Sequence, residues 1–190
     1  MEVELIDVPS NGVLVIIDVQ KAIDHPSWGR RNNMQAEENI VQLLNAWRAT
    51  HRPIVHVRHL STEPDSPYRP GQEGCDFKDA VLPEAGERIV DKQVTCAFIG
   101  TDLEEWLRSN GYQTLFVTGV ITNNSVEATV RVAGNLGFDT YVVSDGTATF
   151  DKRDLEQQWH VAEQVHALSL ANMHKEYATV VDTQTLLQRL

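Results

Sequence analysis

The chain has 190 residues, 42% of them hydrophobic, and carries a formal net charge of −11 at pH 7. This length and composition predict one domain, residues 1–190, with a sizeable apolar core. The acidic charge argues against nucleic acid or anionic membranes as main partners, and no apolar run approaches the ~20 residues of a membrane span. Met1–Leu5 lack the features of a signal peptide and two cysteines are too few for a disulfide framework, so we expect a cytoplasmic protein.

Strand and helix patterns follow one another along the whole sequence. Apolar, β-branched runs predict strands at Val13–Gln20, Ile54–Arg58, Arg88–Asp91, Thr114–Thr118, Thr140–Ser144 and Ala178–Val181. Helical spacing of apolar residues and capping signals predict helices at Gln35–Ala49, Thr101–Gly111, Val126–Leu136 and Leu155–Met173, and a short one after Asp182. This pattern predicts an α/β fold: a doubly wound parallel sheet of about six strands, flanked by helices in three layers.

Some residues within these elements carry sharper predictions. Thr101 and Glu104 have the spacing of a capping box, in which each side chain satisfies the other residue's backbone N–H. The helix predicted at Leu155–Met173 shows three apolar residues at core spacing: Val161, Val165 and Leu168. Asp145, at a strand end, is expected to hydrogen-bond the loop that carries Ser125.

Three chemically distinct groups fall where such a sheet places its ligand site, beyond the carboxyl ends of the strands. Asp18 ends the first strand, Lys92 follows the third, and Ser125 lies at a strand-to-helix turn, where backbone N–H groups and the positive helix end stabilise negative charge. Together they can serve as proton carrier, electrostatic stabiliser and nucleophile. A plainer role, such as Asp18 capping the next turn, suits each residue alone.

Five sequence pieces, in order over nearly the whole chain, resemble one known family: Val15–Gln20 with its Asp-x-Gln, Lys92–Phe98, Gly119–Thr129, Gly137–Asp145 and His166. The chain is similar to the isochorismatase-like hydrolases, also called cysteine hydrolases, which include nicotinamidases and N-carbamoylsarcosine amidase. The resemblance implies that Asp18 is general base and acid, that Lys92 stabilises charge, and that Ser125 occupies the nucleophile position. It also implies a cis peptide between Val120 and Ile121.

Ser125 departs from the family pattern, which usually has cysteine there. A thiol with a pKa of about 8.5 ionises readily beside a lysine, whereas a hydroxyl needs a strong base in the transition state. Three interpretations stay open: Ser125 attacks a carbonyl, it orients substrate or water, or it is an introduced replacement for cysteine. The rival nucleophile, Cys96, has the surroundings of a packed, inert thiol, and Cys75 is interpreted as incidental.

Several further residues are candidates for the substrate pocket, and Arg58 in particular could bind a substrate carboxylate. The candidates are Trp28, Arg58, His59, Phe98, Ile121 and Asn124. Nicotinamidases carry an Asp-x-His…His metal cluster, but here Asp24 and His25 are adjacent and no second histidine follows at ligand spacing. We therefore expect no metal and no cofactor.

The leading hypothesis is a hydrolase of an amide-like C–N bond in a small molecule. One alternative is isochorismatase-type hydrolysis of a vinyl ether without a covalent intermediate, and another is a non-catalytic binding protein on a retired hydrolase fold. We expect a homodimer or homotetramer. The long polar loop Ser61–Phe77 is predicted to lie over the site or at a subunit contact.

Overall fold

The computed structural model describes residue 6 and residues 8–190. The expectation that Met1–Leu5 form no signal peptide falls on residues outside this part. The regular elements, in chain order, are β1 Val13–Ile17, α1 Ala36–Ala49, β2 Ile54–His59, β3 Arg88–Lys92, α2 Leu103–Ser109, β4 Thr114–Val120, α3 Glu127–Asn135, β5 Asp139–Ala148, β6 Lys152–Arg153, β7 Trp159–His160, α4 Ala162–Met173, β8 Thr179–Val181 and α5 Thr183–Leu187. Of the described helices, none has the length and apolar character needed to cross a membrane.

Six of the strands form one parallel sheet in the order β3-β2-β1-β4-β5-β8. The chain builds outward from β1 through β2 and β3, then returns to the other side of β1 with β4. The strand order therefore reverses between β1 and β4, which is where doubly wound sheets bind ligands. The predicted α/β fold with a doubly wound sheet of about six strands is confirmed.

Apolar side chains cover both faces of this sheet. Successive residues of a strand point to opposite faces, so Ile16 of β1 packs in one cluster with Trp47 of α1. Its neighbour Val15 belongs to the opposite cluster, with Leu107 of α2 and Val130 of α3. Burying one such aliphatic side chain contributes about 1.5–3 kcal/mol. Because β1 is buried on both faces, its carboxyl end has a rigid position.

The helix predicted from Leu155 begins only at Ala162, so that prediction was wrong over its first turns. The preceding segment is an antiparallel hairpin of β6 and β7. The Asp154 carboxylate accepts hydrogen bonds from the backbone N–H groups of Glu156 and Gln158, both at 2.9 Å. A side chain that bonds the backbone locally in this way offers an alternative to the helix, and Leu155 is left fully exposed.

The buried face of α4 also differs from the prediction. The buried residues are Ala162, His166, Ser169 and Met173, whereas Val161 and Leu168 are 38% and 67% exposed. Polar contacts orient the helix: His166 Nδ1 lies 3.0 Å from the Thr122 hydroxyl, and Ser169 donates to Glu127 at 2.6 Å. The apolar spacing was misleading because hydrogen-bonded polar side chains occupy the inner face.

Two further local predictions were wrong. The Thr101 hydroxyl accepts from the Leu103 N–H at 3.4 Å, but Glu104 binds Arg108 at 2.8 Å and does not complete a capping box. The Asp145 carboxylate accepts hydrogen bonds from the backbone N–H and hydroxyl of Thr183, both at 2.8 Å. It holds the start of α5 instead of the loop that carries Ser125.

Candidate active site

The carboxyl ends of β1, β3 and β4 position the three groups singled out in the sequence. Asp18 directly follows β1 and takes a left-handed backbone conformation, with φ of 53°, in which its N–H donates to Val57 O at 3.0 Å. Lys92 is the last residue of β3. Ser125 lies in a single helical turn, Thr122–Val126, that links β4 to α3. Asp18 and Ser125 therefore flank the point where the strand order reverses.

Gly119 allows the ends of β1 and β4 to come close together. Its φ is 115°, and a Cβ atom at this position would lie 2.1 Å from Ile17 O. Only glycine fits such an approach. The Val120–Ile121 peptide that follows is cis, so that prediction is confirmed.

The three side chains meet around one ammonium group. Lys92 Nζ donates to Asp18 Oδ2 at 2.7 Å and lies 3.4 Å from Ser125 Oγ. All three residues are buried, with exposed fractions of 4% for Asp18, 1% for Lys92 and 7% for Ser125. An ion pair this deeply buried costs desolvation free energy, so it is weak evidence for a role in stability.

Only one oxygen of the Asp18 carboxylate is engaged by Lys92. The other, Oδ1, is buried and has no hydrogen-bond partner among the described residues. Burial raises the pKa of Asp18, and the ammonium of Lys92 and the nearby Ser125 hydroxyl oppose this rise. A carboxylate with a raised pKa and a free oxygen is suited to gaining and losing a proton.

A cavity of about 110 Å³ opens onto this cluster. Its lining includes Trp28, Ile121 and Asn124, which the sequence singled out as pocket candidates. The full lining is Asp18, Trp28, His59, Ser66, Tyr68, Thr95, Val120, Ile121, Asn124 and Ser125. The part of loop 61–77 around Ser66 and Tyr68 therefore lies over the site.

His59 and Tyr68 form one wall of the cavity, with ring centroids 5.7 Å apart in an edge-to-face arrangement. Burial and the charge of Lys92 lower the pKa of His59 to about 4, so its imidazole is neutral at neutral pH. Sequence reasoning missed Ser66, Tyr68 and Thr95. They lie in irregular segments without periodicity, and an aromatic residue within a polar loop was the one available signal.

Gln20, two residues after Asp18, fastens this wall to the sheet. Its side-chain oxygen accepts from the His59 N–H at 2.8 Å, while its amide nitrogen donates to the carbonyls of His59 and Cys75 at 3.0 and 2.8 Å. The Asp-x-Gln motif thus places the carboxylate of Asp18 in the cavity, and two residues later the amide of Gln20 holds His59 and Cys75 in place.

Two predicted pocket residues lie elsewhere. Arg58 binds Asp91 through two hydrogen bonds of 2.8 Å, because these residues are directly opposite each other on β2 and β3. Phe98 stacks on Phe138 in the apolar core, with centroids 5.8 Å apart. Neither lines the cavity that contains Asp18 and Ser125, so the structure gives no support to their assignment to substrate binding.

The two cysteines are not part of the cavity lining. Cys96 is packed in the apolar cluster beneath α2 and α3, and burial raises the pKa of its thiol. Cys75 is also buried with a raised thiol pKa. A buried thiol of raised pKa is a poor nucleophile, which favours Ser125 over Cys96.

The residues considered for a metal are engaged with other groups. Asp24 binds Lys78 Nζ at 2.8 Å, and His25 Nδ1 lies 2.7 Å from the Ser27 hydroxyl. Across the described part of the chain, no three His, Cys, Asp or Glu residues are placed so that they could hold a metal ion.

Comparison with known proteins agrees with this architecture. The profile of the Isochorismatase domain matches residues 12–185. An isochorismatase family protein of Bacillus subtilis, YrdC, is 44% identical over 92% of this chain and 93% of its own length. A crystal structure assigned to the same family, from Chromobacterium violaceum, superposes with a TM-score of 0.96 at 50% identity, covering 100% of this chain and 98% of the other.

Two more distant relatives have names that state an activity. Nicotinamidase 3 of Arabidopsis thaliana is 26% identical over 80% of this chain and 78% of its own length. The maleamate amidohydrolase of Pseudomonas putida is 31% identical over 60% of this chain and 48% of its own length. With the domain match over most of the chain, these similarities establish that the protein belongs to the isochorismatase family of hydrolases.

Proposed function

We propose that the protein hydrolyses an amide-like C–N bond in a small molecule, with Ser125 as nucleophile, Asp18 as proton carrier and Lys92 as the cation that stabilises charge. The observation that carries this proposal is the position of Lys92 Nζ, 2.7 Å from Asp18 Oδ2 and 3.4 Å from Ser125 Oγ at the cavity wall. One ammonium thus orients both the base and the hydroxyl.

In the first half-reaction, Ser125 Oγ bonds to the amide carbon while its proton passes to Asp18. The negative charge that develops on the carbonyl oxygen is stabilised by the ammonium of Lys92 and by the positive end of α3. Asp18 then gives its proton to the leaving nitrogen as the C–N bond breaks. The products of this stage are a free amine or ammonia and an ester on Ser125.

In the second half-reaction, a water molecule takes the place of the leaving amine. Asp18 accepts a proton from that water as its oxygen bonds to the ester carbon, and returns the proton to Ser125 Oγ as the ester bond breaks. The carboxylic acid product leaves, and the starting protonation states are restored. Throughout both stages, Lys92 keeps its contact with Asp18 Oδ2, so the unpartnered Oδ1 carries the proton.

The position of Arg58 removes the one residue that was nominated in support of the alternative hydrolysis of a vinyl ether. That alternative needs cationic groups for the carboxylates of an isochorismate-like acid, and Arg58 was the cation proposed for them. Its guanidinium binds Asp91 outside the cavity. The names of nicotinamidase 3 and maleamate amidohydrolase also support amide chemistry in this family.

The test is a Ser125→Ala variant assayed beside the unchanged protein on a panel of primary amides and on isochorismate. We expect the amide turnover number to fall by at least about 10³-fold, because the nucleophile is removed. Ser109→Ala is the matched control, since Ser109 is exposed on α2 and bonds only the Trp106 carbonyl. Circular dichroism would verify that both variants fold.

Unchanged amide turnover in Ser125→Ala would contradict attack by its hydroxyl. Turnover of isochorismate but of no amide would favour the ether reaction instead. Failure of the unchanged protein to hydrolyse any compound, with activity gained in Ser125→Cys and lost on thiol alkylation, would identify the serine as a disabled nucleophile.

We also propose a cytoplasmic homodimer or homotetramer. Both cysteines are free, which suits a reducing compartment. The exposed apolar side chains of Trp159 and Leu168 support burial of this surface between copies of the chain. Light scattering on the purified protein gives the number of copies directly.

A further inference from the structure

The turn that carries Ser125, Thr122–Val126, has no side-chain cap of its own. Ile121 precedes this turn and Val126 precedes α3, and neither apolar side chain can accept a backbone N–H. Within the turn, Asn123 has a non-helical backbone conformation, with φ of −85° and ψ of 16°. The side-chain contacts that fix the position of this turn therefore come from neighbouring elements.

Two side chains of α4 contact the chain on either side of Ser125. His166 Nδ1 lies 3.0 Å from the Thr122 hydroxyl oxygen, and the Ser169 hydroxyl donates to Glu127, the first residue of α3, at 2.6 Å. His166 and Ser169 are three residues apart, so they lie on the same face of α4. One helix face thus holds both the start of the turn and the start of the helix that follows it.

The inner face of α4 is polar although it is buried. His166 and Ser169 have exposed fractions of only 9% and 3%, and burial of polar groups costs free energy that apolar side chains would not cost. Hydrogen bonds have a preferred direction, so they define a position more closely than apolar contacts do. The histidine ring is itself anchored, because Asn33 Nδ2 lies 3.5 Å from Nε2 and donates to the carbonyls of Ser144 and Thr147 at 3.0 and 2.7 Å.

We propose that His166 and Ser169 are positioning residues, which hold Ser125 Oγ at its place beside Lys92 through their contacts with the turn and with α3. The proposal rests on the proposed attack by Ser125 and names residues that this attack requires outside the cavity. The distance from Lys92 Nζ to Ser125 Oγ, 3.4 Å, is already longer than a typical N–H···O hydrogen bond. A small displacement of the turn would therefore break this contact, and a misplacement of about 1 Å can cost 10²-fold in rate.

The first test measures kcat and KM on the most active amide of the panel. Thr122→Val removes the hydroxyl that His166 contacts and keeps the shape of the side chain. We expect kcat to fall about tenfold with KM within about twofold, because the nucleophile moves while the other cavity residues stay, and Thr122→Ser should restore most of the rate. The matched control is Thr183→Val, which removes a buried hydroxyl that donates to Asp145 at 2.8 Å and should lower Tm without changing kcat.

The second test reports the position of residue 125 without any hydrolysis. In Ser125→Cys, the ammonium of Lys92 favours the thiolate, so the thiolate fraction at pH 7 depends on the distance between the two groups. The pH dependence of alkylation by iodoacetamide measures this fraction, with the unchanged protein as the blank because its two cysteines are buried. Adding Thr122→Val or Ser169→Ala should lower the fraction about threefold, whereas adding Thr183→Val should not.

In an active protein the inference requires both changes, so a loss of kcat without a lower thiolate fraction overturns it, as does the reverse. Failure of Thr122→Ser to restore the rate also overturns it. If Thr122→Val does not fold, Ser169→Ala decides the outcome by the same two measurements. Amide turnover that depends on Ser125 but not on either contact would leave the proposed function standing and remove only this inference. If no amide is hydrolysed, the proposed function fails and the thiolate fraction alone decides the inference.

Discussion

Asp18 and Glu87 are both largely removed from water, with side-chain exposures of 5% and 10%, but their surroundings differ sharply. Both oxygens of Glu87 are engaged: Arg48 donates to one at 2.7 Å, and Arg48, His56 and the Glu84 N–H donate to the other at 3.0, 2.8 and 2.8 Å. Asp18 has one close ionic partner and one oxygen without a partner.

The pKa values of the two carboxyl groups move in opposite directions. Burial raises the pKa of Asp18. Burial acts in the same direction on Glu87, but its hydrogen bonds to Arg48, Glu84 N–H and His56 outweigh it and lower the pKa to about 2. A carboxylate whose two oxygens both accept hydrogen bonds holds neighbouring parts of the chain together. A carboxylate with one oxygen unpartnered beside a cavity can exchange a proton.

Among single substitutions, Asp18→Asn should have the greatest effect on activity. We expect kcat/KM on amide substrates to fall by at least about 10³-fold, because the asparagine side chain cannot accept and return the proton. The substitution also leaves Lys92 charged and buried without its partner, which should lower the free energy of unfolding by about 3 kcal/mol. Enzyme assays and urea denaturation measure the two effects.

The double variant Asp18→Asn/Lys92→Met separates these effects. It should recover most of the lost stability, because no unpaired charge remains, while staying inactive. Recovery of activity in the double variant would contradict the roles given to both residues.

In the unchanged protein, activity should fall as the pH drops through the raised pKa of Asp18, because the protonated carboxyl group cannot accept a proton. A pH profile of kcat/KM should therefore show its acidic limb above pH 3.8.

Glu87→Gln tests the other side of the comparison. We expect a loss of about 1–2 kcal/mol in the free energy of unfolding at neutral pH, with kcat/KM per folded molecule unchanged. Because the folded-state pKa is lowered from 4.5 to about 2, the stabilisation is present above 4.5 and is lost as the pH falls toward 2. Urea denaturation over that range should show the two proteins converging in stability. A variant that loses activity while remaining folded would place Glu87 among the functional residues.

The smallest expected effect is that of Arg58→Gln. The Arg58–Asp91 pair is partly exposed, with side-chain exposures of 32% and 40%, so its loss should cost less than about 1 kcal/mol. KM for the amide substrate should change by less than about twofold, because Arg58 does not line the cavity. A larger rise in KM would return Arg58 to the substrate-binding residues.

Sequence reasoning succeeded where one physical rule connected distant residues. The carboxyl ends of parallel strands meet at one edge of a sheet, so Asp18, Lys92 and Ser125 were expected to converge, and the structure brings them together. Tyr68 and Thr95 follow no such rule, because irregular segments have no period that predicts their direction. The start of α4 was misplaced because local side-chain hydrogen bonds of Asp154 compete with the helix.

The side-chain amide of Gln20 restricts which part of loop 61–77 can move when a substrate enters the cavity. It bonds the backbone of His59 and the carbonyl of Cys75 simultaneously, and the backbones of Gln20 and Phe77 pair as well. The end of loop 61–77 at Cys75 and Phe77 therefore cannot move away from Gln20 without breaking these backbone contacts. Thr95 and Asn124, which also line the cavity, are exposed to water, so the cavity can be reached from solvent beside them without movement of this end of the loop.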